Sequence, residues 1–269
     1  MKKLAINFEN VLSVKADLSK TLNETFKYMK NAGISALDVK YERFFEDPNL
    51  YSEILIAGMT VSSVFYMGDL GLADNYTKEL EIIDFCADHK IGDIMLLTKP
   101  CLSENIDKDK YLFNLKQNLR RIVNYAKIYG VKIGIENFGK RDSVFSSVED
   151  LKDILNSVKG LYLVYDSGNF FLANENPYDA FVTFKDKISR VHIKDRGFAK
   201  GDGRYEQPDI NGNLTAVFPL GEGCSEISKI LNEIGDFECC LEFDFASNNL
   251  LEDIEKSAIY CLSEGNYNV

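Results

Sequence analysis

The chain is poor in several features that would mark common classes of protein. It has only two histidines, His89 and His192, too few for a site built from several imidazoles. Its six cysteines (Cys86, Cys101, Cys224, Cys239, Cys240 and Cys261) form no C-x-x-C pair, so they spell out neither a zinc ribbon nor a dithiol redox motif. They read as free thiols of a reducing cytosol. No apolar run reaches the roughly 18 residues of a membrane-spanning helix. The apolar start, Met1 to Phe8, turns polar at Asn7 and Glu9, which is too short for a signal peptide and suits a first strand. Positive charge is scarce too: 31 Lys and Arg stand against 42 Asp and Glu, and the net charge of −11 disfavours binding to a phosphate backbone. The expectation is a cytoplasmic protein with no membrane segment and no nucleic-acid partner.

What is present is an alternation of short apolar runs and helical periods. The runs expected as strands are Lys3–Phe8, Ile34–Tyr41, Thr60–Tyr66, Asp93–Leu97, Val131–Ile135, Leu161–Tyr165, Ile188–Ile193 and Phe237–Phe243. Between them the expected helices cover about 18–31, 50–58, 75–89 and 109–129. A fifth is capped at Ser147, with Asp150 three residues on; a sixth follows Pro177, a seventh carries Ile227 to Ile234, and a last covers about 250–262. In 109–129, Leu112, Leu115, Leu119, Ile122 and Ala126 step by three and four along one face. Strand and helix alternate eight times with no linker, and hydrophobic residues make up 45% of the 269. That pattern predicts α/β architecture, a single-domain (β/α)8 TIM barrel over residues 1–269. An open dinucleotide-binding sheet would carry a glycine-rich turn after its first strand, and Asn7-Phe8-Glu9-Asn10 has no glycine. The segment from Arg196 to Leu220 reads as a long polar loop and a candidate lid.

In such a barrel the active site lies at the carboxyl ends of the strands. Glu136, Asp166, His192 and Glu242 fall at the ends of strands five to eight. Each alone has an ordinary reading. Glu136 is a solvated acid, Asp166 an Asx turn or helix cap before Ser167-Gly168-Asn169, His192 a satisfied core histidine, and Glu242 a buried carboxylate paired with a cation. Together, three carboxylates and one imidazole suit one divalent cation: Mn²⁺ first, then Mg²⁺, Co²⁺ or Zn²⁺. Lys194 and Arg196 follow His192 directly and are candidates for binding a substrate phosphate or carboxylate. Lys200 and Arg204 are weaker ones. Gly221-Glu222-Gly223 is a weak phosphate-loop candidate, with a simple turn as the default.

The segments Ile135-Glu136-Asn137, Tyr165-Asp166-Ser167-Gly168-Asn169, Val191-His192-Ile193-Lys194-Asp195, Pro219-Leu220-Gly221-Glu222-Gly223 and Leu241-Glu242-Phe243 resemble the xylose isomerase-like TIM barrel superfamily, the sugar phosphate isomerase/epimerase group. The resemblance implies that Glu136, Asp166, His192 and Glu242 hold one metal, and that Glu136 and Glu242 also act as the acid/base pair. It implies a proton shift next to a carbonyl through an enediolate, on a small sugar, sugar phosphate or related hydroxy-carbonyl compound. Asn169 stands where the family often has a substrate-binding histidine, Thr98 where many members carry another, and Asp38 where a strand-two Glu is common. An amide can hydrogen-bond a hydroxyl but cannot shuttle a proton at neutral pH. Two other outcomes stay open on the same framework: an inosose dehydratase-like lyase, and a catalytically silent barrel that binds a sugar or polyol. An endonuclease IV-like repair enzyme is disfavoured, because its zinc cluster needs several histidines. The 18 Phe and 14 Tyr would supply an aromatic surface for a homodimer.

Overall fold

The computed structural model describes residues 3–72, 75–98, 106–140, 143–244 and 249–264. In chain order the elements are β1 (Leu4–Asn7), α1 (Phe8–Asp17), α2 (Leu22–Asn31), β2 (Ile34–Lys40), α3 (Arg43–Glu46), α4 (Leu50–Ile56), β3 (Thr60–Met67), α5 (Thr77–Asp88), β4 (Asp93–Leu97) and α6 (Lys108–Ile128). They continue with β5 (Lys132–Glu136), α7 (Val148–Ser157), β6 (Leu161–Asp166), α8 (Ser167–Leu172), α9 (Pro177–Phe184), β7 (Ile188–Ile193), β8 (Asp195–Phe198), β9 (Gln207–Pro208), β10 (Leu214–Phe218), α10 (Ile227–Glu233), β11 (Cys239–Leu241) and α11 (Leu250–Glu264).

Eight parallel strands close into a barrel in the order β1-β11-β7-β6-β5-β4-β3-β2, with helices around it, so the expected (β/α)8 fold is present. Alternation along each strand sets which side chains turn inward. On β7, Val191 and Ile193 join the main core between sheet and helices, while Arg190 and His192 turn into the barrel. Inside, Ala5, Ala36 and Cys240 make one small cluster and Phe65, Met95 and Val164 another, both separate from that core. The outer layer is the larger store of stability. A fully buried Leu or Ile, such as Leu119, Ile122 or Ile154, contributes about 1.5–3 kcal/mol through its burial.

Two expectations need correction. The helix expected at 18–31 is α2, and a further helix, α1, precedes it. Phe8–Asp17 starts at once because the Asn7 side chain accepts the Glu9 N–H at 3.0 Å. The chain then turns through Ser19 at φ 53° and restarts at Thr21, which forms a capping box with Glu24. The second correction is at 196–220, which is not a plain loop. It builds a three-stranded antiparallel sheet, β8-β10-β9, so the expected lid is tied together by strand pairing. The last barrel strand is also shorter than Phe237–Phe243, leaving Glu242 just past its end.

Cys86, Cys224, Cys240 and Cys261 are free thiols; Cys101 lies outside the described residues. Among the described residues no helix is long and apolar enough to cross a membrane.

Candidate metal centre

The strand register brings the four expected donors together. Asp166 pairs with His192 across β6 and β7, and Cys240 of β11 pairs with His192 on the other side. The Glu242 N–H, two residues beyond Cys240, donates to the Ile193 carbonyl at 3.3 Å. Glu136 ends β5, whose pairing sets it beside Val164 of β6. Ligand atoms of Glu136, Asp166, His192 and Glu242 all lie within 4.8 Å of one another. His192 Nδ1 is 2.8 Å from Glu136 Oε1 and 2.8 Å from Glu242 Oε2.

Neighbours fix these side chains in place. Asn137 clamps the Asp166 backbone, donating from Nδ2 to its carbonyl at 3.1 Å and accepting its N–H at 2.9 Å. Asp166 caps α8 by accepting the Asn169 N–H at 2.9 Å. Asn169, expected on the substrate, commits its side-chain nitrogen to the Asn137 carbonyl at 2.9 Å.

Lys194 is almost wholly buried, and its Nζ sits 3.1 Å from Asp166 Oδ2, 3.2 Å from Glu242 Oε1 and 3.5 Å from Asp244 Oδ1. Its stem lies against Gly168, where a Cβ would come within 2.8 Å of it. Arg196 is fully buried: Nη1 donates to Thr215 Oγ1 at 3.2 Å and Nη2 pairs with Asp244. Both terminal nitrogens therefore have partners inside the protein, Thr215 and the Asp244 carboxylate. Lys200 lies over the Phe218 ring and Arg204 pairs with Asp253 and Asp202.

The weak phosphate-loop candidate is corrected outright. The amides of Gly221, Gly223 and Ser225 do form an anion cradle, but Asp195 fills it, accepting them at 2.8, 3.0 and 3.0 Å. A Cβ on Gly223 would strike that carboxylate at 2.3 Å.

A divalent cation fits the donor set by three tests. The donors are oxygens and one imidazole nitrogen, as such an ion prefers. Glu136 Oε1 and Asp166 Oδ2 are buried and face His192 Nδ1 at 2.8 Å and Lys194 Nζ at 3.1 Å, which leaves each oxygen a lone pair that a cation would meet. Finally, with His192 neutral, as a ligand must be, the carboxylates of Glu136, Asp166, Glu242 and Asp244 face two cations among the described residues, Lys194 and Arg196, a deficit that one divalent ion cancels.

The electrostatics divide the two glutamates. Burial pushes the Glu136 carboxyl up to about 7, and neighbouring Glu242 adds to the effect against the opposing His192 contact. Burial acts the same way on Glu242, but Lys194 and His192 outweigh it and hold that carboxyl well below the usual range. Burial raises Asp166 as well, with Lys194 opposing. For His192 burial opposes the charged form, yet Asp38, Glu136 and Glu242 raise its pKa well above the ordinary histidine value.

Asp38 and Arg190 complete the surroundings. Asp38 Oδ2 is 3.1 Å from His192 Nε2, and Arg190 grips Asp38 through Nε and Nη2, both at 2.6 Å. Asp38 had a sequence signal, an acid inside an apolar strand. Arg190 had only its place two residues before His192, which alternation turns into the same interior. Asp244 gave none, since an acid beyond a strand end is ordinary.

Residues 73–258 match the model of the xylose isomerase-like TIM barrel family. No curated protein sequence matches the chain. Among solved structures, one described as IOLI protein with a binding zinc atom aligns at TM-score 0.73 and 18% identity, covering 99% of this chain and 98% of that one. The structure of an L-ribulose 3-epimerase aligns at TM-score 0.70 and 18% identity, covering 98% and 94%. A probable 3-DHS dehydratase from Bacillus anthracis, AsbF, aligns at TM-score 0.70 and 15% identity, covering 97% and 98%. At these identities the likeness is one of fold.

Proposed function

The chain belongs to the xylose isomerase-like TIM barrel family, and from that premise we propose that it is a divalent-metal-dependent isomerase or epimerase of a small sugar or related hydroxy-carbonyl compound. The observation that carries the reading is the convergence of Glu136 and Glu242 on one nitrogen of His192, in opposite protonation preferences. Glu136, Asp166, His192 and Glu242 would hold the cation: Mn²⁺ by donor type, with Mg²⁺, Co²⁺ or Zn²⁺ as alternatives. When bound, such an ion supplies a Lewis acid that polarises a carbonyl and its neighbouring hydroxyl.

The protein's own part is to hold and move a proton. Glu242, kept ionised by Lys194, is suited to take a proton from the carbon next to a carbonyl. Glu136, on another strand and 2.8 Å from the same His192 nitrogen, is suited to give one back or to receive one. Two such groups on different strands serve an epimerase, which needs an acid and a base on opposite faces. Lys194 would orient an oxygen of the bound compound, and Asn169 a hydroxyl through its remaining side-chain oxygen. The filled cradle at Asp195 favours an unphosphorylated substrate. The reading places the protein in carbohydrate metabolism, in the cytoplasm.

A panel of ketoses, aldoses and their phosphates in heavy water with added Mn²⁺, followed by NMR, tests this. The expected result is loss of one C–H signal with growth of an epimer or aldose–ketose isomer. Appearance of an unsaturated product with loss of water would instead assign a lyase, a reading the dehydratase-like fold neighbour keeps in view. A protein that binds metal but leaves every C–H intact would be a silent sugar-binding barrel.

A further inference from the structure

The geometry points to Asp38 as the positioning residue that makes Nδ1, and not Nε2, the nitrogen His192 presents to the cation. The inference rests on the metal-centre reading above and adds a residue outside the donor set.

His192 has two ring nitrogens, and which one is free depends on what the other one meets. Nε2 meets Asp38 Oδ2 at 3.1 Å, in a region where His192 and Asp38 are at most 1% exposed. An ionised carboxylate only accepts, so that contact requires a hydrogen on Nε2. Without a cation Nδ1 also carries a hydrogen, shared with Glu136 and Glu242 at 2.8 Å; a cation among those carboxylates would displace that hydrogen while Asp38 keeps the one on Nε2, so the lone pair opens on Nδ1.

Asp38 is itself held so that it cannot turn away. Its Oδ2 also accepts Arg190 Nε at 2.6 Å, and its Oδ1 accepts Arg190 Nη2 at 2.6 Å and Ser62 Oγ at 3.0 Å. Arg190 is anchored at its far end by Glu238 at 2.9 Å. The fork is bidentate and planar, which fixes the carboxylate plane as well as its position.

The fold supplies the room for this contact. Asp38 is on β2 and His192 on β7, with β1 and β11 between them around the barrel. The inward residues of those two strands at this level are Ala5 and Cys240, packed with Ala36. These small side chains leave the barrel axis clear for Asp38 and Arg190 to reach His192. Asp38, His192 and Cys240 also bring ligand atoms within 4.8 Å, which would suit a second cation. The guanidinium on both Asp38 oxygens argues against that, since a cation there would face a fixed positive charge.

A hydrogen bond from the outer nitrogen of a ligating histidine to a carboxylate typically sets metal affinity by about 10- to 100-fold. Because the chain has only two histidines, protein labelled with ¹⁵N-histidine gives two ring systems, and His89 serves as the internal reference. In the zinc-loaded protein, long-range ¹H–¹⁵N correlation should show a proton on His192 Nε2 and a metal-shifted Nδ1. Asp38→Asn should weaken zinc binding about 10- to 100-fold in competition with a chromophoric chelator, and should shift the Nε2 signal. The double variant Asp38→Asn with Arg190→Gln removes both charges together and should show the same loss. Zinc bound through Nε2 in the unaltered protein would overturn the proposal without any variant. So would Asp38 variants that bind zinc with unchanged affinity and unchanged ring shifts. Failure of the unaltered protein to bind any divalent ion would overturn the metal centre itself, a different and separable result.

Discussion

At the scale of single residues, the centre is a set of protons waiting to be displaced. Without metal, His192 holds its proton far above the ordinary histidine range and Glu136 holds one up to about 7. A cation needs both groups deprotonated, so binding must release protons. The sign follows: affinity rises as pH rises through about 7 and falls below it, where protons win. Calorimetry in buffers of different ionisation enthalpy should give different observed heats, and apparent affinity should drop between about pH 8 and about pH 6. A buffer-independent heat and a flat affinity would contradict this ordering of the site. How far these residues could be read beforehand depended on spacing. Glu136, Asp166, His192 and Glu242 each end an apolar run, a signal that any strand-by-strand reading detects. Arg190 and Asp244 were not legible, because their roles come from register between strands far apart in sequence. Arg196 reads as a candidate for the substrate because it adjoins the His192 strand; its burial was not legible, because β8 begins at Asp195 and carries it indoors.

At the scale of elements, the alternation of strand and helix was legible because apolar periods of two and near 3.6 differ plainly. Helix α1 was missed because it follows the first strand with no break, so its buried apolar positions, Phe8, Val11 and Val14, run on from those of β1. The β8-β10-β9 sheet was missed because polar residues at 199–213 separate its strands, and their composition reads as loop. That sheet depends on a local device with a measurable cost. Asp195 receives three backbone N–H groups from Gly221, Gly223 and Ser225, and Arg196 beside it ties the same strand to Thr215 and Asp244. Asp195→Ala leaves those donors without their acceptor, at about 1–3 kcal/mol for each one that water does not reach. Urea unfolding should show a loss of at least that size. A change below about 0.5 kcal/mol would mean that the cradle is well hydrated and not structural.

At the scale of the whole molecule, four buried or part-buried acids around one point are a repulsive arrangement that an ion relieves. Metal should therefore raise the thermal midpoint, by about 2.7 kcal/mol of added stability when free ion reaches 100 times its dissociation constant. Chelator should reverse the shift, and an unmoved midpoint would argue that no ion binds the folded state. Closure of the barrel gives this a consequence in time. The ring is sealed by β1 against β11, Leu4 on Cys239, Ala5 on Cys240 and Ile6 on Leu241. Pairing between segments so distant along the chain is slow to form. Glu242 follows directly on β11, and it is the pairing of β11 with β7 that brings it to the other donors, so a chain whose last strand has yet to dock holds at most three of the four. An unfinished barrel is thus a poor scavenger of metal, and the reactive centre comes into being only when the last strand joins the ring.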